Sequence, residues 1–435
     1  MIPCIRILSF VEEGFAFLSS VMTAVPLRNL KMIATALVLS RDFNLSGFQK
    51  QWLKERTVNA FSHFFATAGR VSMDALMKAY YNMLKSCFKL MPGLFIIDDT
   101  LAHHSKMCQR IFGVQKHFDH VKGINVKAIC FVFLYFKCGL IKFPLGFRIY
   151  FRNGRKTKHA LAIELIKEAL DNGFMCEAVL ADSWYCVDPF VRKLQALRVC
   201  YILDIKTNAT IDVPLRKKHT RIAKCSRKRQ KWYEKENIVE YFKRRIRTRG
   251  TIGFQEDLET GKEAQLLYTI KEATAKIHAL KGQHKIIMTH DPVKGTTKYL
   301  ITNEITWEGV KMVRDFFERW RIEEFFENGK QLLDLEGASV RGEQGVAITT
   351  FLVSCLDALL NKEVVKLAFG NPQSAPVTVQ SIVRLAELEN VERFTELVRS
   401  ETGKEILERW VTILKSNALR KRSVNSPVEF KEAAA

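Results

Sequence analysis

The pattern of hydrophobic and polar residues divides the chain into helical ends and a middle that mixes strands with helices. Near both ends, apolar residues recur every three or four positions, which predicts amphipathic helices. These helices are expected over 10–24, 47–66, 72–90, 345–369, 377–400 and 403–422. The first 90 residues therefore form either a helical DNA-binding module or a helical support for the rest of the chain.

From Pro92-Gly93 onward, short apolar runs of the kind that form buried strands replace the helical pattern. Two such runs, 125–136 and 140–151, are separated by three residues that include Gly139, which predicts a β-hairpin. Around this hairpin the pattern predicts a strand over 94–100, a helix over 159–173, a strand over 177–185, a helix over 187–198 and a strand over 199–207. This order is typical of a mixed α/β sheet with helices packed on it.

A second group of short strands follows, and a long helix comes after it. The strands are expected over 263–273, 284–292 and 296–305, and the helix over 314–333. We therefore divide the chain into a helical region, the first part of an α/β core, a basic and then β-rich insertion, a core helix and a helical C-terminal region that is a candidate for dimerisation. These parts cover 1–90, 91–207, 208–305, 306–345 and 346–435.

Acidic residues stand at the ends of two of the predicted strands. Asp98 and Asp99 end the run 94–100, and Asp182 lies near the end of 177–185. The carboxyl edge of an α/β sheet is where functional sites form, and buried carboxylates are costly unless they are paired or bind a metal. Adjacent strand residues face opposite ways, so only one of Asp98 and Asp99 can point into such a site unless the strand has ended.

The helix over 314–333 adds a third carboxylate. Phe316, Arg319, Glu323 and Lys330 are spaced so that they share one helical face. A carboxylate flanked by cations suits a metal site that also binds phosphate, and Glu323 packed against the sheet edge would complete a set of three acids. The same spacing also fits an ordinary salt-bridged helix face, with Glu323 paired to the Arg one turn earlier.

Composition favours a nucleic-acid partner. The 435 residues carry a formal net charge of +22, and 47% of them are hydrophobic, which is enough for a real core. The ten Cys residues contain no CxxC pair, so a zinc site and a disulfide framework are both disfavoured. The most apolar run, 128–136, is too short to cross a bilayer, so we expect no membrane association.

More than half of the net charge lies in the segment 214–250, where 15 Lys and Arg stand against 3 Glu. Aromatic residues such as Trp232 are interleaved with the basic ones. This composition is typical of a surface that binds phosphates and stacks on unpaired bases, although a solvated basic loop would have it too. The candidate DNA contacts of the segment are Arg227, Lys228, Arg229, Trp232, Arg244 and Arg245.

Three separated motifs together resemble the DDE transposases of bacterial insertion sequences. The first acid of that family ends an apolar strand as Asp-x-Thr/Ser, as Asp98-Asp99-Thr100 does here, and the second ends another strand before a helix, as Asp182 does. The last acid lies in a Tyr-x2-Arg-x3-Glu-x6-Lys signature, which is Phe316-x2-Arg319-x3-Glu323-x6-Lys330 here. The resemblance covers about 94–345. Phe316 replaces the Tyr of the signature, so one hydroxyl contact to DNA is missing.

The resemblance implies an RNase H-like catalytic core in which Asp98, Asp182 and Glu323 hold two Mg²⁺ ions, which Mn²⁺ can replace. The Asp-x-Thr pattern favours Asp98 over Asp99 as the first acid. Arg319, Lys330 and Phe316 would contact the DNA beside the scissile bond. Family members flip a base onto an aromatic residue of the β-rich insertion, for which Tyr299 is the candidate, with a core tyrosine as the other interpretation.

The function that the resemblance implies is Mg²⁺-dependent cleavage at transposon ends and strand transfer into target DNA. The enzyme would act as a homodimer on transposon ends and target DNA, in the bacterial cytoplasm in association with the nucleoid. Two other functions stay open: a catalytically inactive DNA-binding protein or repressor that occupies transposon ends, and a nuclease with the same core that is not a transposase.

Overall fold

The fold was analysed in a computed structural model, which describes most of the chain. The described residues are 2–52, 58–67, 71–88, 91–105, 110–214, 233–246, 250–257, 263–337, 340–370, 377–400, 403–405, 407–408 and 411. The predicted contacts Arg227, Lys228, Arg229 and Trp232, and most of the predicted helix over 403–422, lie outside these residues.

Helices dominate both ends of the chain, as the periodicity predicted. Other helices lie among the strands of the middle. In chain order the described helices are α1 (Ser9–Gly14), continued by a 3-10 turn over Phe15–Ser20, α2 (Ala24–Ser40), α3 (Leu45–Gln51), α4 (Val58–Thr67), α5 (Met73–Cys87), α6 (Lys158–Asp171), α7 (Asp188–Ala196), α8 (Ile238–Arg245), α9 (Gly309–Phe317), α10 (Trp320–Gln331), α11 (Glu343–Gly370) and α12 (Val379–Arg399).

The strands fill the middle of the chain. They are β1 (Gly93–His104), β2 (Gln115–Asp119), β3 (Ile124–Cys138), β4 (Ile141–Tyr150), β5 (Cys176–Ala181), β6 (Tyr201–Ile205), β7 (Thr210–Pro214), β8 (Tyr233–Asn237), β9 (Gly250–Asp257), β10 (Glu263–Ile277), β11 (His284–His290) and β12 (Thr297–Thr302). The predicted hairpin is β3–β4, and the predicted helix over 159–173 is α6, which ends just before Gly173 at a φ of 84°.

All of these strands join one mixed sheet. Its order is β2-β3-β1-β5-β6-β12-β11-β10-β7-β8, with β4 also on β3 and β9 also on β10. Strands β1, β5 and β6 run parallel, whereas β3 is antiparallel to β1 and β12 is antiparallel to β6. The strands that we predicted as a β-rich insertion therefore continue the sheet of the core from β6 outward.

Helices cover both faces of the central strands. On one face, α10 contacts β1, and its Phe325 and Phe326 pack on Phe133 of β3, with ring centres 5.0 and 5.7 Å from that of Phe133. On the other face, α6 packs on β3 and β4 and contacts α7. The sheet is thus buried on both sides, which explains the nearly continuous apolar run of β3.

The N-terminal and C-terminal helices pack together. Arg41 at the end of α2 binds Glu387 of α12 at 2.7 Å, and the Asn390 side chain donates to the Pro3 carbonyl at 3.1 Å. Helix α11 lies between these helices and the sheet. Its 28 residues are long and apolar enough to cross a membrane, with a mean hydropathy of 1.3, but 83% of its most apolar window is buried inside the fold, as in a core helix.

Candidate active site

The sheet brings three carboxylates into one row. Strand β1 pairs with β5, and β5 with β6, so that three buried residues lie side by side: Ile96, Leu180 and Ile202. Two residues after each of these in the sequence come Asp98, Asp182 and Asp204. Because side chains two residues apart in a strand share a face, the row changes from apolar to acidic at the carboxyl ends of these strands.

The fourth carboxylate comes from the helix above the sheet. Arg319, just before α10, donates from Nη1 to Asp98 Oδ2 at 2.8 Å and to Glu323 Oε1 at 3.4 Å. One guanidinium group therefore links the first and last acids that the sequence singled out. Asp182 follows β5 directly, and its Oδ1 accepts a hydrogen bond from the Trp184 backbone N–H at 3.0 Å.

The electrostatics of Asp98 show how closely these acids are grouped. Burial raises the pKa of Asp98 well above its usual range. The Arg319 charge opposes this rise, and the negative charges of Asp182 and Glu323 add to it. Asp98 is thus a carboxyl group that is costly to ionise unless positive charge beyond that of Arg319 comes close to it.

Asp98 and Asp99 face opposite sides of the sheet. Asp99 Oδ2 binds the Lys158 ammonium of α6 at 2.6 Å, and its Oδ1 accepts from the Tyr185 hydroxyl at 3.4 Å. Burial lowers the pKa of Lys158, but the charges of Asp99 and Cys130 and the hydrogen bonds to them together outweigh this, so the pKa is raised overall. The structure therefore places Asp98, and not Asp99, in the row with Asp182 and under Glu323.

The predicted single helix over 314–333 is wrong in one respect, because it is broken into α9 and α10. At the break the backbone N–H groups of Arg319 and Ile322 bond three residues back, to Phe316 and Arg319, at 3.0 and 3.3 Å. This tighter turn changes the helical phase, so the four signature residues do not lie on one straight face. Arg319 stands at the break itself, where its side chain reaches the row of acids.

Two of the predicted DNA contacts in the signature, Phe316 and Lys330, contact other residues instead of the row of acids. Phe316 is 6% exposed, so the prediction that its ring contacts DNA is not supported by this structure. Its ring lies under the Lys298 ammonium, 5.8 Å from ring centre to Nζ. Lys330 Nζ lies 3.3 Å from Glu336 Oε1 and forms no ion pair with the acid row.

The remaining predicted DNA contacts, Tyr299, Arg244 and Arg245, differ in their exposure to solvent. Tyr299 is 3% exposed and packs against Phe242, with ring centres 5.5 Å apart, so its surroundings agree with the interpretation as a core tyrosine and do not support the predicted base stacking. Arg244 and Arg245 lie on α8 and point outward. Each is partnered, Arg244 by Glu240 at 3.0 Å and Arg245 by Glu236 at 2.7 Å.

Two exposed aromatic rings lie near the acids, at positions that were not among the predicted DNA contacts. Trp320, next to Arg319, is 61% exposed. Trp184, two residues after Asp182, is 43% exposed and stacks on the His159 ring at 4.3 Å with the planes 4° apart. Trp320 begins α10, and Trp184 lies in the turn that follows Asp182.

The donor set fits hard divalent cations, which prefer carboxylate oxygens. As the side chains are placed, no three His, Cys, Asp or Glu residues in the described parts of the chain converge closely enough to hold a metal ion. The Arg319 guanidinium group, between Asp98 and Glu323, supplies the positive charge there instead. We therefore expect metal binding at these acids to displace Arg319 from Asp98.

One comparison with known proteins covers part of the chain that includes two of these acids. Residues 50–239 are similar to the family model described as DDE superfamily endonuclease. The match includes Asp98 and Asp182 and ends before Glu323. No curated relative matches the chain in sequence.

Two solved structures show weak likeness to the chain. A piggyBac transposase synaptic complex with hairpin DNA is 10% identical, with a TM-score of 0.44, over 98% of this chain and 85% of that one. The NurA nuclease from Sulfolobus solfataricus is 11% identical, with a TM-score of 0.23, over 71% of this chain and 96% of that one. Both scores are too low to bear on fold or function.

Proposed function

We propose that the protein is a transposase: a metal-dependent endonuclease that cuts DNA at transposon ends and joins the freed 3′-hydroxyl to target DNA. The observation that carries the proposal is the grouping of three acids from separate parts of the chain: Arg319 bridges Asp98 and Glu323, and the charges of Asp182 and Glu323 both act on Asp98. The endonuclease family match and the net charge of +22 support DNA as the substrate. Central strands with acids at their carboxyl ends also support an RNase H-like core.

The acids would hold two Mg²⁺ ions, with Mn²⁺ as a substitute. Ions held in this way activate a water or a 3′-hydroxyl and stabilise the leaving oxygen during in-line displacement at phosphorus. The residues of the chain itself divide the remaining work. Asp98 and Asp182 are fixed by the strands, so their carboxylates are positioned before DNA binds. Arg319 can exchange its contact with Asp98 for the scissile phosphate, since a guanidinium group binds either anion in the same way.

The experiment is strand cleavage of a plasmid that carries the genomic DNA on either side of the gene, with Mg²⁺ or EDTA. We expect cleavage by the wild type in Mg²⁺ only, and none by Asp182→Asn or Glu323→Gln. Two matched controls remove an exposed carboxylate that lies outside the acid row: Asp171→Asn at the end of α6 and Glu327→Gln one turn beyond Glu323. Both controls should cleave as the wild type does.

The outcomes separate the three candidate functions. Cleavage only at the borders of the flanking DNA supports a transposase, whereas equal cleavage of a scrambled plasmid supports a general nuclease. Specific binding of the flanks without cleavage in Mg²⁺ or Mn²⁺ supports a non-catalytic protein that occupies transposon ends. Loss of both binding and cleavage in Glu323→Gln would assign that residue a structural role.

A further inference from the structure

Lys298 is a cation beside the acid row that lacks a carboxylate partner. It lies on β12, and its side chain is exposed. Among the described residues no carboxylate oxygen lies within 4.0 Å of its ammonium group, which instead stands over the buried ring of Phe316, 5.8 Å from the ring centre. Arg319 differs from it, because it is bound by Asp98 and Glu323. Lys298 thus has positive charge available for a ligand.

The sheet register places Lys298 at the end of the acid row. Leu300 of β12 pairs with Asp204 of β6, and Lys298 lies two residues from Leu300 on the same face. Such diagonal neighbours are about 7–8 Å apart at their backbones, which a lysine side chain can span. Burial raises the pKa of Asp204 to about 6, with the Lys298 charge the main influence opposing it and Asp182 adding to it. Lys298 and Asp204 are therefore close enough to influence each other.

We propose that Lys298 binds a backbone phosphate of the DNA next to the acid row, and that the Phe316 ring and Asp204 position its ammonium group. The proposal rests on the proposed function, since it takes DNA as the substrate. It also gives Phe316 a role that fits its burial: the ring supports a cation instead of contacting DNA.

The chemistry of the site requires such a group. Four carboxylates lie at this edge of the sheet, and they repel the phosphates that must approach them. Arg319 is partly neutralised by two of these acids. An exposed ammonium group held on an aromatic ring keeps its full charge and presents it to the solvent side of the row, where a nucleic acid backbone would lie.

The test is DNA binding by full-length protein, measured by fluorescence anisotropy of a labelled 40-bp duplex in Ca²⁺ over a series of salt concentrations. Lys298→Met should weaken binding several-fold and reduce the slope of log K against log salt by about one, as expected for the loss of one phosphate contact. Lys298→Arg should restore both. The matched control is Lys281→Met, an exposed lysine in the turn before β11, whereas Lys298 pairs with Thr289 near the far end of that strand.

Asp204 is tested as a positioning residue by a double-mutant cycle. In the wild-type background, Asp204→Asn should weaken binding about 3-fold because Lys298 is held less well. In the Lys298→Met background the same change should leave binding unchanged or tighten it, since only repulsion of the phosphates is removed. An equal loss in both backgrounds would show that Asp204 does not act through Lys298.

The inference and the proposed function can fail separately. If Lys298→Met binds DNA with the same affinity and salt slope as Lys281→Met, the inference is wrong, whether or not the wild type cleaves. If the wild type never cleaves but the slope falls only in Lys298→Met, the phosphate contact stands and the catalytic function is wrong. Thermal unfolding of each variant checks that a loss of binding is not a loss of fold.

Discussion

Asp98 and Asp99 are neighbours on one strand, yet they stand in opposite environments. Asp98 faces α10 and lies with Asp182 and Glu323, and burial and these negative charges raise its pKa despite its contact with Arg319. Asp99 faces α6 and accepts hydrogen bonds from Lys158 at 2.6 Å, from the Tyr185 hydroxyl and from the Cys130 thiol. The two residues have the same side chain and the same strand, so only the face of the sheet distinguishes them.

The surroundings of Asp98 and Asp99 distinguish a reactive carboxylate from a structural one. Asp99 has one strong opposite charge and few competitors, which is the arrangement of a structural ion pair. Asp98 has more negative than positive charge around it. This arrangement destabilises the folded protein when no further cation is bound, and it is typical of a functional site that binds one.

The largest expected effect is on catalysis. Asp98→Asn should lower the rate of Mg²⁺-dependent strand cleavage on the order of a thousandfold, because an amide cannot replace a metal-binding carboxylate. Asp99→Asn should change the rate only a few-fold once the folded fraction is taken into account. Single-turnover cleavage of the flank-bearing plasmid measures both. A larger loss in Asp99→Asn than in Asp98→Asn would reverse the assignment of the first acid.

The second expected effect is a loss of stability in Asp99→Asn. Asp99→Asn leaves the Lys158 ammonium, whose side chain is 19% exposed, without its ion-pair partner. We expect the free energy of unfolding to fall by about 1–3 kcal/mol, measured by urea denaturation. Lys158→Met should cost a similar amount, and the double variant less than the sum of the two. Additive losses would show that the pair is not coupled.

The smallest expected effect is a rise in the melting temperature of Asp98→Asn, and it depends on pH. The pKa of Asp98 is higher in the folded than in the unfolded protein, so its contribution to stability is complete below the unfolded pKa and is lost as the pH rises through the folded pKa. Asparagine resembles the protonated acid and avoids this loss. In EDTA at pH 8, Asp98→Asn should therefore melt roughly 1–3 °C above the wild type.

At pH 4 this difference in melting temperature should nearly vanish. Asp99→Asn should melt below the wild type at pH 8, so the two asparagine variants should shift in opposite directions. A lower melting temperature for Asp98→Asn at pH 8 would mean that its contact with Arg319 outweighs the crowding by Asp182 and Glu323.

Local pattern predicted the elements of the core well. The hairpin β3–β4 followed from two apolar runs around Gly139, and α6 from its periodicity and Gly173. Helix α2 was not among the predicted helices, because it is buried on most faces and so lacks a polar stripe that would mark it. The break between α9 and α10 was also missed, since all residues around Arg319 are compatible with a continuous helix.

Long-range register decided the rest of the site. Asp204 is a single acid in the apolar run of β6, and only its pairing beside β5 reveals that it continues the row from Asp182. Tyr299 and Phe316 were predicted as contacts from their position in a motif, whereas packing against Phe242 and under Lys298 buries them. A motif indicates which residues lie near the chemistry, but it does not indicate which of them reach the surface.

The most direct test of the site is a crystal structure with Mn²⁺, located by its anomalous scattering. We predict an anomalous peak about 2.1–2.2 Å from carboxylate oxygens of Asp98 and Asp182, with the Arg319 guanidinium group displaced from Asp98. A peak at Asp99, or no peak while the 2.8 Å contact between Arg319 and Asp98 persists at saturating Mn²⁺, would contradict the account.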